Sequence, residues 1–184
     1  GTTTINLTGA TVLTATGSGF DPSYPSGLKA TGTITVNSGN ITVSGTSLAT
    51  GTKGISADGN ITINGGIIQI TTVGNGAVYT NESGVTDSYS SAAITTDANL
   101  VINGGTVTTT SSGTGGKGLK ADGSITIGTT TSNPILNITT TGVRFLVLGT
   151  DYAHPKTIVA AGAISIINGT NTINSTDDGI HSDT

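Results

Sequence analysis

Along most of the chain, apolar and polar residues alternate over short runs that break at Gly, Asn or Asp, a pattern of half-buried strands. The sharpest run, Ile61-Thr62-Ile63, closes the phrase Lys53-Gly54-Ile55-Ser56-Ala57-Asp58-Gly59-Asn60. That phrase returns as Lys117-Gly118-Leu119-Lys120-Ala121-Asp122-Gly123-Ser124 followed by Ile125-Thr126-Ile127. Weaker copies occupy 27–36, 93–102 and 157–166. Strong helix formers are scarce, and no amphipathic helical stretch competes with the strand pattern.

The long runs begin at Ile34, Ile61, Leu100, Ile125 and Ile164, so that short and long intervals alternate. Units of about 25 residues with glycine corners fit one turn of a β-solenoid. The expected fold is therefore all-β, a parallel β-helix in a single domain over 1–184, with two loop insertions, 74–91 and 142–155. Alternation turns Ile34/Val36, Ile61/Ile63, Leu100/Ile102, Ile125/Ile127 and Ile164/Ile166 inward as stacked aliphatic ladders. Most units continue through a turn into a second run, as at Ile67–Ile70. Ile5–Val12 reads as the second half of a unit and Gly179–Asp183 as the first half of another. The chain is thus expected to be a segment of a longer solenoid or filament, with end-to-end self-association as the alternative.

Composition narrows the function. Charged residues are 9% and aromatics 3%, and Cys, Met and Trp are absent, which excludes disulfides and thiolate zinc sites. Six basic residues against ten acidic ones leave no basic footprint for nucleic acid, and no apolar run is long enough for a membrane span. A secreted or cell-surface location is expected.

The few charged residues sit on template positions. Asp58, Asp97 and Asp122 share one outward position, which Asp183 resumes and Thr31 and Ala161 interrupt. Carboxylates one coil apart, about 4.8 Å, repel unless neutralised. Ca2+ with its oxygen ligands would do this, and the same Asp residues would also serve as plain turn formers. Asp177 and Asp178, near Asp183, form a second calcium candidate. Lys53, Lys117 and Lys156 share another template position, and Lys29 and Lys120 a third, making a basic strip suited to a polyanionic sugar. Tyr79, Tyr89 and Tyr152, in the insertions, are candidates for stacking on pyranose rings. Tyr24, Phe20 and Phe145 also lie off the repeated strands.

The phrases at 53–66 and 174–183 resemble the clostridial carbohydrate-binding β-helix proteins. That resemblance implies a right-handed coil, non-catalytic binding of acidic polysaccharide such as polygalacturonate or of cellulose, and calcium held by Asp177, Asp178 and the repeat aspartates. A lyase or polygalacturonase-like enzyme is the alternative in a different class, resting on Arg144 and on Asp177, Asp178 and His181. Ice binding is disfavoured, because pairs such as Asn99/Val101 and Ala163/Ser165 break a regular threonine row.

Overall fold

The computed structural model describes residues 2–7 (backbone), 24–45 and 50–184; Phe20 lies outside them. Among the described residues every regular element is a strand. After β1 (Thr2–Leu7) the chain makes a first circuit of β2 (Ser26–Ala30), β3 (Ile34–Val36) and β4 (Asn40–Gly45). The second circuit is β5 (Lys53–Ala57), β6 (Ile61–Ile63) and β7 (Ile67–Thr72), followed by the hairpin β8 (Ala77–Thr80) and β9 (Thr86–Tyr89). β10 (Ala92–Thr96), β11 (Leu100–Ile102) and β12 (Thr106–Ser111) form the third, and β13 (Lys117–Ala121), β14 (Ile125–Ile127) and β15 (Ile135–Thr140) the fourth. A second hairpin, β16 (Phe145–Leu148) and β17 (Asp151–Ala153), precedes β18 (Lys156–Ala160), β19 (Ile164–Ile166), β20 (Thr170–Ser175) and β21 (Asp178–Ser182).

These strands make three parallel sheets. Sheet 1 runs β1-β4-β7-β12-β15-β20, sheet 2 β2-β5-β10-β13-β18-β21, and sheet 3 β3-β6-β11-β14-β19. Every circuit passes through sheets 2, 3 and 1 in that order and pairs with the circuit before it. The two insertions expected as loops are antiparallel hairpins, and both leave at the corner from sheet 1 to sheet 2.

The expected ladders are in register. Ile34, Ile61, Leu100, Ile125 and Ile164 are successive partners, as are Val36, Ile63, Ile102, Ile127 and Ile166. Sheet 2 adds Leu28, Ile55, Ile94, Leu119, Ile158 and Ile180, and sheet 1 adds Ile68, Val107 and Leu136. All three sheets feed one hydrophobic cluster, which sits between them. At its centre Ile61, Leu100 and Ile125 are fully buried, whereas the last rung is open, with Ile166 43% and Ile180 48% exposed.

Corners are held by side-chain amides and tight glycines. Asn64 donates to Asn37 Oδ1 and Asn103 donates to Asn64 Oδ1, each at 2.8 Å, a ladder that continues the coil spacing outside the strands. Gly39, Gly66 and Gly105 stack beside it with φ of 96°, 94° and 85°, a region open to glycine. A side chain at Gly105 would also strike the backbone of Gly65 and Gly66.

Candidate functional site

The first and fourth residues of the sheet 2 strands carry the chemistry. In register, the first position reads Ser26, Lys53, Ala92, Lys117, Lys156, Asp178, and the fourth Lys29, Ser56, Thr95, Lys120, Val159, His181. Beyond the strand end lies the edge column Thr31, Asp58, Asp97, Asp122, Ala161, Asp183. Its register is fixed by bonds such as Asp97 N–H to the Ala57 carbonyl and Asp122 N–H to the Thr96 carbonyl. Lys53, Lys117 and Lys156 therefore run along one margin, where the hairpins rise, Lys29 and Lys120 stand on the floor, and carboxylates run along the other margin. Between them lies a groove of about 690 Å³ lined by all five lysines of the chain.

The two hairpins form one wall. Phe145 of β16 fills a niche left by Gly76 and Gly115, where any added side chain would overlap its ring. Tyr89 is buried, 7% exposed, with Tyr24 and Tyr79 packed on it at centroid distances of 5.1 and 5.8 Å. Its hydroxyl lies 3.1 Å from Thr50 Oγ1. Tyr89 is thus the anchor of the wall, and Tyr79 and Tyr152 are the rings on its open side. Tyr152 carries the guanidinium of Arg144 over its face, 4.4 Å from the ring centre.

Lys53 and Lys117 do more than display charge. Lys53 Nζ donates to the Ser90 carbonyl and Lys117 Nζ to the His154 carbonyl, so that equivalent lysines pin the returning end of each hairpin. Burial pushes both ammonium groups down from the usual lysine range, Lys53 to about 7 and Lys117 to about 8, with neighbouring lysines adding to the effect. Lys29, Lys120 and Lys156 complete the set, and Lys120 Nζ meets Asp122 Oδ1 at 2.6 Å.

That ion pair answers part of the repulsion expected in the acidic column. Asp97 keeps a raised pKa, through burial first and then through Asp122 and Asp58 on either side. Among the described residues no group of three or more acidic or imidazole side chains is arranged to hold a metal ion. Asp58, Asp97 and Asp122 stand in a row, one per circuit. Asp177 lies 2.5 Å from His154 Nδ1, while His181 bridges Asp178 at 3.2 Å and Asp183 at 2.9 Å. These last three carboxylates lie outside the groove lining. Of the residues of the enzyme alternative, Arg144 stacks on Tyr152 of the second hairpin, Asp177 lies against His154, and Asp178 and His181 share the last strand.

Sequence reasoning missed Thr95, Ser56, Ser88 and Ser90 in the groove, and His154 beside them. The repeat register could have supplied Ser56 and Thr95, since they share the column of Lys29 and Lys120.

The chain is thus a parallel, solenoid-like stack of coils with a walled, polar groove on one of its sheets. A family model described as "Carbohydrate-binding domain-containing protein" matches residues 2–134, more than half of the chain, and the chain belongs to that family. The match takes in the first hairpin and ends ahead of the second. No match is found among curated proteins or among solved structures.

Proposed function

We propose that the sheet 2 groove of this carbohydrate-binding protein holds an acidic, plant-type polysaccharide chain lying along the stacking axis, without cleaving it. The coil spacing of about 4.8 Å is close to the length of one sugar in an extended chain, so each circuit addresses about one residue. Lys117 and Lys156 meet uronate carboxylates from the wall side and Lys120 from the floor, where Ser56 and Thr95 meet hydroxyls. Tyr79 and Tyr152 offer ring faces from the wall. The observation that carries the reading is that every lysine of a chain of net charge −4 lines this one groove.

The right-handed sense of the coil, a secreted or cell-surface location and a place within a longer solenoid belong to the same proposal. So does the calcium expected from the sequence, although no step above depends on it. Isothermal titration with polygalacturonate, in calcium and in chelator, tests both parts. Binding is expected, and tighter binding in calcium would support the metal. No binding under either condition would remove the reading, and release of unsaturated product would replace it with a lyase.

The end-to-end self-association expected from the sequence belongs to the proposal as well, and sedimentation of a chain that stays monomeric across concentration would exclude it.

A further inference from the structure

Four Asn-Gly pairs occur in the chain, at Asn64, Asn75, Asn103 and Asn168. Such a pair can close on itself, because a glycine nitrogen, with no side chain on its own Cα to hinder it, can reach the carboxamide carbon of the asparagine before it. Within a fold the reaction needs the two groups free of other partners and close together. Three of the pairs are restrained, and the fourth is poised.

The difference is a shift of one residue in the repeat. Asn64-Gly65-Gly66 and Asn103-Gly104-Gly105 turn the corner from sheet 3 to sheet 1, with Asn64 N–H donating to the Val36 carbonyl and Asn103 N–H to the Ile63 carbonyl, each at 2.7 Å. Between β19 and β20 the equivalent bond runs from Ile167 N–H to the Ile127 carbonyl, at 2.8 Å. Ile167-Asn168-Gly169 therefore fills this corner, and its asparagine stands where Gly65 and Gly104 stand. Gly128 takes the ladder position in the circuit between and interrupts the row of amides.

Neighbouring circuits hold the first three pairs. The Asn64 carboxamide donates to Asn37 and accepts from Asn103, which fixes both asparagines. Gly104 N–H donates to the Ile63 carbonyl at 3.3 Å and Gly76 N–H to the Thr114 carbonyl at 2.9 Å, while Asn75 Oδ1 accepts from Thr114 N–H at 3.0 Å. Asn168 is exposed, and its Oδ1 accepts from Gly169 N–H at 3.0 Å. Neither its carboxamide nor that N–H has another partner among the described residues, so the attacking nitrogen already lies against the group it must attack.

We propose that Asn168 is a site of spontaneous covalent modification, deamidation through a cyclic imide with Gly169, and that the fold directs this reaction to Asn168 ahead of the other three pairs. Water takes the proton from Gly169 N–H, the nitrogen bonds to Cγ of Asn168, and the Cγ–Nδ2 bond breaks to release ammonia. Water then opens the imide on one side or the other, leaving aspartate or an isoaspartate in which the chain runs on through Cγ. The net change is one water consumed and one ammonia released. Isoaspartate lengthens the path by one carbon just ahead of Thr170, which pairs with Ile135, so the turn into β20 must readjust. Asn168 lies outside the groove lining, and the inference is independent of the glycan reading.

The full chain, incubated folded and in parallel in denaturant, tests this by peptide mapping with mass spectrometry and enzymatic labelling of isoaspartate over time. Folded, Asn168 is expected to lose its amide first, while Asn64, Asn75 and Asn103 keep theirs. In denaturant the four pairs are expected to react at similar rates, which separates the effect of the fold from that of the dipeptide. Asn168→Gly, with folding checked by circular dichroism, is expected to remove the early isoaspartate signal of the folded chain. Loss at Asn64, Asn75 or Asn103 as fast as at Asn168 in the folded chain would overturn the proposal. So would an Asn168 that stays intact while the denatured chain reacts, or an early signal that survives Asn168→Gly.

Discussion

Sheets 1 and 2 share their interior and differ in what they show to solvent. Both contribute aliphatic ladders to the same cluster and repeat at the same spacing. The outward columns of sheet 1 read Thr42, Gln69, Thr108, Asn137, Thr172 and Ser44, Thr71, Thr110, Thr139, Asn174, without a charge. Sheet 2, on equivalent outward positions, gathers lysines and an aspartate edge, and the hairpins rise at its margin. In a stacked coil the inward residues are constrained by the rung above and the rung below. The outward ones are not, so binding chemistry can be written on one face while another stays neutral. β-branched hydroxyl residues are a sufficient filling for the neutral face, since they suit a strand and tolerate water.

Removing the common interior breaks both faces at once. Ile125→Ala, at a fully buried rung between Leu100 and Ile164, is expected to cost about 2–5 kcal/mol in a denaturant titration. A milder change separates the faces. Lys120→Ala with Lys156→Ala is expected to weaken polyuronate binding by about ten- to a hundredfold, whereas Thr108→Lys on sheet 1 leaves it unchanged, both read by calorimetry.

The wall gives a pH signature. Lys53 and Lys117 have folded pKa values of about 7 and about 8, below the ordinary 10.5, so the unfolded chain holds more protons between these limits. Their contribution to stability is fully present above the unfolded pKa and is lost as pH falls through the folded values. The melting temperature of the chain is expected to carry a rising component between pH 7 and pH 10, and Lys53→Met is expected to reduce it. Polyuronate affinity should move the opposite way, falling as these two amines lose their charge.

The smallest effect lies inside sheet 1. Thr109 is buried on an inward column between Ile70 and Ile138, and its hydroxyl has no hydrogen-bond partner. Thr109→Val is expected to raise stability by about 1 kcal/mol, measured by thermal melting, with sheet 2 binding unaffected.

Where the chain repeats, its structure was readable. The ladder from Ile34 to Ile164, the aspartate column and the two lysine columns all follow from aligning one unit on the next, because register turns equal template position into vertical neighbourhood. Where the chain inserts, nothing in the template applied. That Lys53 and Lys117 reach the carbonyls of Ser90 and His154, that Phe145 seats on Gly76 and Gly115, and that Tyr89 is a core residue of the wall depend on non-repeating sequence folding back on the coil. The calcium expectation rested on adjacency along the column. That adjacency is present in the structure, along Asp58, Asp97 and Asp122.

The central claim is that the glycan lies on sheet 2 under the hairpin wall. Chemical-shift mapping of the isotope-labelled chain with a soluble oligouronate tests it directly. The account predicts perturbed amides at Ser56, Thr95, Lys120 and His154, with Thr71, Thr108 and Thr139 on sheet 1 unmoved. Shifts concentrated on the sheet 1 residues, with sheet 2 silent, would contradict it.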